Sequence, residues 1–277
     1  MAHNRVLPFL DFGGSGQVLH FAHANAYPPA AYKDLIQPLL HKHRVIAYEQ
    51  RPLWPDAPEP QSLTSWQVLV DDLIRFLDQQ QLQNIIGIGH SMGSVVSFMA
   101  ACKRPDLFRA LVMIEPVAFS RTVCWFNRSL PWFFKQRIAL IQKTLNRPDC
   151  WESQQAAFDF HRKARAFARV SDAALWSYIQ AGVVNHEGSW KLRFPKAWEA
   201  RCYGAISFFR SSLLNSQLPV LAFRGVHQST IPDVFWQHWQ QNTHHRLIEM
   251  PDHGHLLPLE APTLVSEHIL EFLTHHA

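Results

Sequence analysis

Gly89, His90, Ser91, Met92 and Gly93 form a G-x-S-x-G pentapeptide set between an apolar strand-like run, Asn84 to Ile88, and an Ala-rich helical run, Gly93 to Lys103. That placement constrains the chain more than any other feature. A serine on a sharp strand-to-helix turn has a strained backbone and leaves little room for side chains two positions to either side, which is where the two glycines stand. In such a turn the Ser91 hydroxyl stands above the sheet. The helix N-terminus then aims its free N–H groups and positive dipole end at the same spot.

The remainder of the chain has a matching rhythm. Strand-like stretches fall near residues 5–10, 17–22, 44–49, 84–88, 110–115, 218–223 and 245–250, and helical stretches near 30–40, 65–80, 93–103, 232–241 and 260–274. The second helix carries Trp66, Leu69, Val70, Leu73 and Leu77 at core spacing. The alternation predicts a mostly parallel sheet with crossover helices. From Val117 to about Cys202, helix-type patterning dominates and no strand-like alternation is found. With 277 residues, 47% hydrophobic and 17% charged, the chain can build one large α/β core together with an inserted subdomain.

Several function classes are disfavoured. No apolar run reaches the ~18 residues of a membrane span. Val6 to Leu10 is broken by Pro8 and ended by Asp11, too short for the apolar segment of a secretory leader. Cys102, Cys124, Cys150 and Cys202 have neither pairable nor metal-type spacing and read as free thiols of a reducing cytoplasm.

The stretch after residue 250 completes the pattern. Pro251, Asp252, His253, Gly254 and His255 precede Leu256, Leu257, Pro258, Leu259, Glu260, Ala261 and Pro262. Together with the Ser91 turn, this resembles the α/β-hydrolase superfamily, whose last strand runs into a Gly-His loop and a Pro/Glu/Pro helix entry. The resemblance implies an α/β-hydrolase fold, with a mostly parallel eight-stranded sheet flanked by helices. Residues 1–117 and 206–277 would form the core, and residues 118–205 a helical cap inserted after the superfamily's sixth strand. It implies a general base at His255, with His253 as the alternative that otherwise packs the loop. No metal is expected at these histidines, since no further ligand cluster accompanies them. His23, Ala24, Asn25, Ala26, Tyr27, Pro28 and Pro29 are similar to the superfamily's His-Gly-x-Pro oxyanion loop, with Ala24 where Gly is usual. A methyl group is tolerable there if φ is negative. The likeness implies the backbone N–H groups of Asn25 and Met92 as donors to an oxyanion.

The acid departs from the common pattern. In most relatives it follows the seventh strand, but here Leu218 to Phe223 leads into Arg224, Gly225, Val226, His227, Gln228, Ser229 and Thr230, with no carboxylate. Asp233, after Thr230, Ile231 and Pro232, reads as an acid at the third position of a helix. The superfamily's alternative is an acid at the end of the sixth strand, where Ala110 to Ile114 runs into Glu115. Glu115 is the first choice and Asp233 stays open.

Charge is uneven. Residues 118–205 carry 14 Lys and Arg against 6 Asp and Glu, a net of +8, while the rest carry 12 against 16, a net of −4. Such a basic segment attracts carboxylate-bearing or phosphorylated substrates, rests against an anionic membrane, or is only a solvated face. Aromatic stripes at helical spacing more often fill a core than face lipid, so membrane contact is not the first expectation. No nucleic-acid recognition module accompanies the charge. Trp125 and Phe126 from this segment, with His23 and Trp54, are expected to wall a substrate pocket.

The expectation is a cofactor-independent serine hydrolase, a monomer or homodimer, acting on a small-molecule carboxylic ester or thioester with an apolar portion. Ser91 would be the nucleophile, His255 the base and Glu115 the group that orients it. Carbon–carbon bond hydrolysis on the same residues, or a ligand-binding relic without turnover, are the alternatives.

Overall fold

A computed structural model describes residues 6–276. Its ten strands are β1 (Phe9–Gly13), β2 (Gln17–Ala22), β3 (His43–Tyr48), β4 (Ile85–His90), β5 (Phe108–Ile114), β6 (Cys150–Trp151), β7 (Val183–His186), β8 (Ser189–Leu192), β9 (Val220–His227) and β10 (His245–Gly254). Seven of them form the main sheet in the order β1-β3-β2-β4-β5-β9-β10. Every neighbouring pair is parallel except β1, which runs antiparallel to β3.

The sheet therefore has seven strands among the described residues, where the resemblance implied eight. The first strand also begins at Phe9 instead of near residue 5, a position that lies outside the described residues.

Both faces of the sheet are covered, as parallel strands require. Along β5, Leu111 and Met113 enter one core while Ala110, Val112 and Ile114 enter the other, the period of two expected of a strand. The first core holds the Gln67–Gln79 helix, whose Leu69, Val70, Leu73 and Leu77 are buried together with the preceding Trp66, and the Met92–Lys103 helix. The second core holds the Pro262–His276 helix.

Residues 118–205 are not wholly helical. Strands β6, β8 and β7 form a small antiparallel sheet there, which corrects the expectation of a stretch without strands. The β7–β8 hairpin turns through Glu187 (φ 53°) and Gly188 (φ 83°), two left-handed residues in succession, as a type I′ turn needs. Glu-Gly is not the Asn-Gly or Asp-Gly signal of such a turn, and four-residue strands are too short for alternation to register. This segment is joined to the rest at several points. Phe194, Trp198 and Cys202 belong to the first core, and Leu175, Tyr178 and Ile179 to the second. Arg193 pairs with Glu49 at 2.7 Å, and the Trp66 Nε1–H donates to the Cys202 carbonyl at 2.9 Å.

The Met92–Lys103 helix leaves β4 in close contact with β2. A Cβ on Gly93 would stand 2.1 Å from the Ala22 carbonyl oxygen, and one on Gly89 would stand 2.5 Å from the Ser94 nitrogen. Because the obstacles are backbone atoms, no change of rotamer relieves them. Gly93→Ala should lower the free energy of unfolding by about 2–3 kcal/mol in urea titrations. A loss below about 0.5 kcal/mol, the scale of an ordinary surface substitution, would mean that helix and strand can separate.

Candidate active site

Ser91 follows the last residue of β4 with φ 53° and ψ −118°, a conformation costly for any residue with a side chain. Two backbone ties hold it. The Ser91 N–H donates to the Ile114 carbonyl at 2.9 Å, and the Ser94 hydroxyl donates to the Gly89 carbonyl at 2.5 Å.

The turn brings three sequence-predicted side chains into line. His255 Nε2 lies 3.0 Å from Ser91 Oγ, and its Nδ1 lies 3.1 Å from Glu115 Oε2. A proton on Nδ1 directed at Glu115 leaves Nε2 as the acceptor for the serine hydroxyl. Glu115 is fully buried just beyond the end of β5, with φ 47°.

The end of β9 and the loop after it, which lack a carboxylate from Arg224 to Thr230, supply donors to this one. Oε1 accepts from the Gly225 N–H at 2.7 Å and the Ser229 hydroxyl at 2.8 Å. Oε2 accepts from the Thr230 N–H at 3.1 Å and the Thr230 hydroxyl at 3.3 Å. Asp233 is elsewhere. It is the first residue of the Asp233–Trp239 helix, with Pro232 as N-cap, so the helix starts later than the sequence reading places it. Its exposed carboxylate pairs with Arg224, which also reaches Glu249 at 3.1 Å. His253 sits in β10 with its Nδ1 buried and without a hydrogen-bond partner among the described residues.

Asn25 and Met92 both line the cavity in which Ser91 stands. Met92 is the first residue of its helix, so its N–H has no partner within the helix. Ala24 does not have a positive φ; the left-handed residue of this loop is Ala26, at 69°. The methyl group in place of the usual glycine is therefore unstrained.

Sequence reading missed a buried chain that links the two loops. The Ala24 N–H donates to Tyr32 Oη at 3.3 Å, Tyr32 Oη donates to His90 Nδ1 at 2.8 Å, and His90 Nε2–H donates to the His255 carbonyl at 2.8 Å. Its available signal was a histidine at the end of an otherwise apolar strand.

The cavity has a volume of about 330 Å³ and is mainly apolar, with Tyr27, Trp66, Val117, Phe119 and Leu140 in its wall. The four residues expected to bind substrate are not in that wall. His23 is fully buried and braces the loop: its Nδ1–H donates to the Ala24 carbonyl at 2.8 Å, and its Nε2 accepts the Gln50 N–H at 3.2 Å. Trp54 covers the sheet end, donating from Nε1 to the Glu49 carbonyl at 2.7 Å, with Arg51 over its ring. Trp125 and Phe126 stand exposed on the Arg121–Ser129 helix. Each of the first two has a polar tie to the backbone, and the last two are exposed, Trp125 at a separate cleft.

Burial pushes His20 and His90 down to about 3 and His23 to about 4, with the neighbouring histidine charge a smaller cause at His20 and His90. Their ordinary value is 6.5, so the unfolded chain binds protons below that pH that the folded chain refuses. Stability is therefore full above about pH 6.5 and falls as the pH drops toward 4, by about 1.4 kcal/mol per pH unit for each histidine. Urea denaturation at about pH 7 and about pH 5 should show this slope, and His90→Gln should flatten it by one histidine's share. An unchanged slope would mean that His90 does not stay neutral in the fold.

A family model described as the alpha/beta hydrolase fold matches residues 18–262. Strigolactone esterase D14 of Arabidopsis thaliana is 26% identical over 120 residues, 41% of this chain and 45% of that protein. Karrikin insensitive 2 receptor IA of Petunia hybrida is 30% identical over 106 residues, 37% of this chain and 39% of that protein. The chain thus spans less than half the length of these two relatives. Among solved structures, E-2-(acetamidomethylene)succinate hydrolase shares the fold with a TM-score of 0.80 at 19% identity, over 97% of this chain and 95% of that one. A match over residues 18–262 takes in the Ser91 turn, Glu115 and the His255 loop, and this chain belongs to the α/β-hydrolase family.

Proposed function

We propose that this protein is a serine hydrolase that cleaves carboxylic esters or thioesters with an apolar portion through an acyl-enzyme. The observation that carries the reading is the continuous hydrogen-bonded series Ser91 Oγ, His255 Nε2, His255 Nδ1 and Glu115 Oε2, at 3.0 Å and 3.1 Å. Ser91 attacks the substrate carbonyl while His255 takes its proton on Nε2. The backbone N–H groups of Asn25 and Met92 receive the oxyanion. His255 then protonates the leaving alcohol or thiol, and water repeats the sequence on the acyl-serine. Glu115 keeps the Nδ1 proton in place and balances the charge of the imidazolium. No step calls for a metal or an organic cofactor.

A second reading, a ligand-binding protein with little or no turnover, is favoured by the Petunia relative, whose name is that of a receptor. The two readings divide on Glu115. If it orients His255, Glu115→Gln should lower kcat about 10⁴-fold, while Asp233→Asn should change stability by only a few tenths of a kcal/mol and leave kcat alone. Ser91→Ala should end turnover and labelling by a fluorophosphonate probe. A wild-type protein that is neither labelled nor active on an ester and thioester panel would sink the hydrolase and leave the receptor. Product analysis on the same panel separates ester cleavage from carbon–carbon hydrolysis.

The cavity also suggests a preference among esters. Arg165 and Arg169 are exposed, line it, and have no carboxylate partner among the described residues. Glu260, the carboxylate in the same wall, is engaged by the Gly254 N–H at 2.6 Å. Esters bearing a remote carboxylate should therefore bind better at low salt, with KM rising between about 0.02 and about 0.5 M as screening sets in. The double variant R165Q/R169Q should lose that dependence, with a neutral ester as control. A flat wild-type response would leave these arginines as a solvated face.

A further inference from the structure

Twelve large apolar side chains stand exposed among the described residues, and seven of them lie between Val123 and Leu140. The seven include every exposed aromatic: Trp125 at 66%, Phe126 at 63%, Phe133 at 60% and Phe134 at 48%. The other five are single aliphatic residues spread from Val6 to Leu264. Exposed apolar surface is thus concentrated in one patch, the arrangement that marks an interaction site.

The rings project from two short helices, Arg121–Ser129 and Trp132–Lys135, joined at Pro131. Their inner side is occupied. Cys124 is buried, Asn127 Nδ2–H donates to the Tyr203 carbonyl at 3.3 Å, and Lys135 Nζ donates to the Gly204 carbonyl at 2.5 Å. Lys135 Nζ also lies 3.5 Å from Asn127 Oδ1, which holds the two helices side by side. Phe126, Phe133 and Phe134 stand exposed, and Trp125, exposed as well, also lines a cleft with Arg121, Arg128 and Gly204.

The charge around them has one sign. Between Glu115 and Asp149 the chain has six Lys or Arg and no Asp or Glu. Lys135 is used internally, and Arg147 is paired with Glu199. Arg121, Arg128, Arg137 and Lys143 remain exposed, with no carboxylate partner among the described residues. Arg137 lies over the rings of Phe133 and Phe134, at 4.8 Å and 5.8 Å from their centres.

We propose that the face built by residues 121–143 is a peripheral docking surface for an anionic lipid bilayer. Aromatic rings with only cations between them match the two layers of such a surface: the rings enter at the acyl boundary while the cations sit among the phosphates. A second copy of this chain would set like charge against like. No helix among the described residues is long and apolar enough to cross a membrane, so the contact is at the interface. Leu140, 51% exposed within the patch, is also a wall residue of the cavity that holds Ser91. A docked molecule therefore carries that cavity beside the lipid.

Sedimentation with vesicles tests this without reference to turnover, so the result is independent of what Ser91 does. The full chain should sediment with vesicles of equal parts phosphatidylcholine and phosphatidylglycerol, should not with phosphatidylcholine alone, and should be released as salt is raised. W125A/F126A should weaken partitioning about tenfold or more, from the apolar area withdrawn. R128E/R137E should do the same through charge, and both variants should melt at the wild-type temperature. Absence of binding to anionic vesicles, equal binding to neutral ones, or unaltered binding by both variants would overturn the proposal. So would a lipid-free dimer that W125A/F126A disperses, which would assign the patch to self-association.

Discussion

A fully buried carboxylate is the constraint around which the carboxyl end of this sheet is built. An ionised group taken out of water without partners costs several kcal/mol, so Glu115 can sit beyond β5 only if donors meet it there. Five do: the Gly225 and Thr230 N–H groups, the Ser229 and Thr230 hydroxyls, and His255 Nδ1. They come from two segments remote in sequence, the end of β9 with the loop that follows it, and the residue after β10. Satisfying the carboxylate therefore fixes the β9 loop and the imidazole together, and the imidazole in turn meets Ser91. The left-handed backbone of Glu115, like that of Ser91, is strain that this network holds in place.

A second tie runs on the opposite side of the serine. Tyr32 and His90 connect the Ala24 amide to the His255 carbonyl through three hydrogen bonds, of 3.3, 2.8 and 2.8 Å. A neutral imidazole has one donor and one acceptor, and here both are used. The loop proposed to receive an oxyanion and the loop carrying the proposed base are thereby kept at a fixed spacing by groups that touch neither a substrate nor the serine hydroxyl.

How much of this is legible in the sequence depends on whether the signal is local. The strand rhythm and the crowded glycines at 89 and 93 are local, and they suffice for the fold. The absence of any carboxylate from Arg224 to Thr230 directs attention to Glu115, which lies 3.1 Å from His255. Wall residues are not local. His23 and Trp54 are adjacent in sequence to segments near the cavity, yet each finds a backbone partner that turns it elsewhere. Trp125 and Phe126 show helical spacing, which predicts an apolar face but not what covers it. The β7–β8 hairpin escaped because its turn uses Glu187, a residue without preference for the left-handed region.

The segment 118–205 is attached in two different ways, and the difference has a consequence. Its later part is welded into both cores through Leu175, Tyr178, Ile179, Phe194, Trp198 and Cys202. Its earlier part, residues 121–146, buries only Cys124, Lys135, Ile141 and Thr144. A substitution in the first group disturbs packing shared with the sheet, whereas in the second only Cys124 belongs to a core that the sheet shares. Leu140, in the wall beside Ser91, belongs to the lightly held part. The stretch of chain that brings Leu140 into the wall beside Ser91 is accordingly one whose sequence the fold constrains lightly, and its chemistry can be rewritten while the proposed catalytic residues beneath it stay the same.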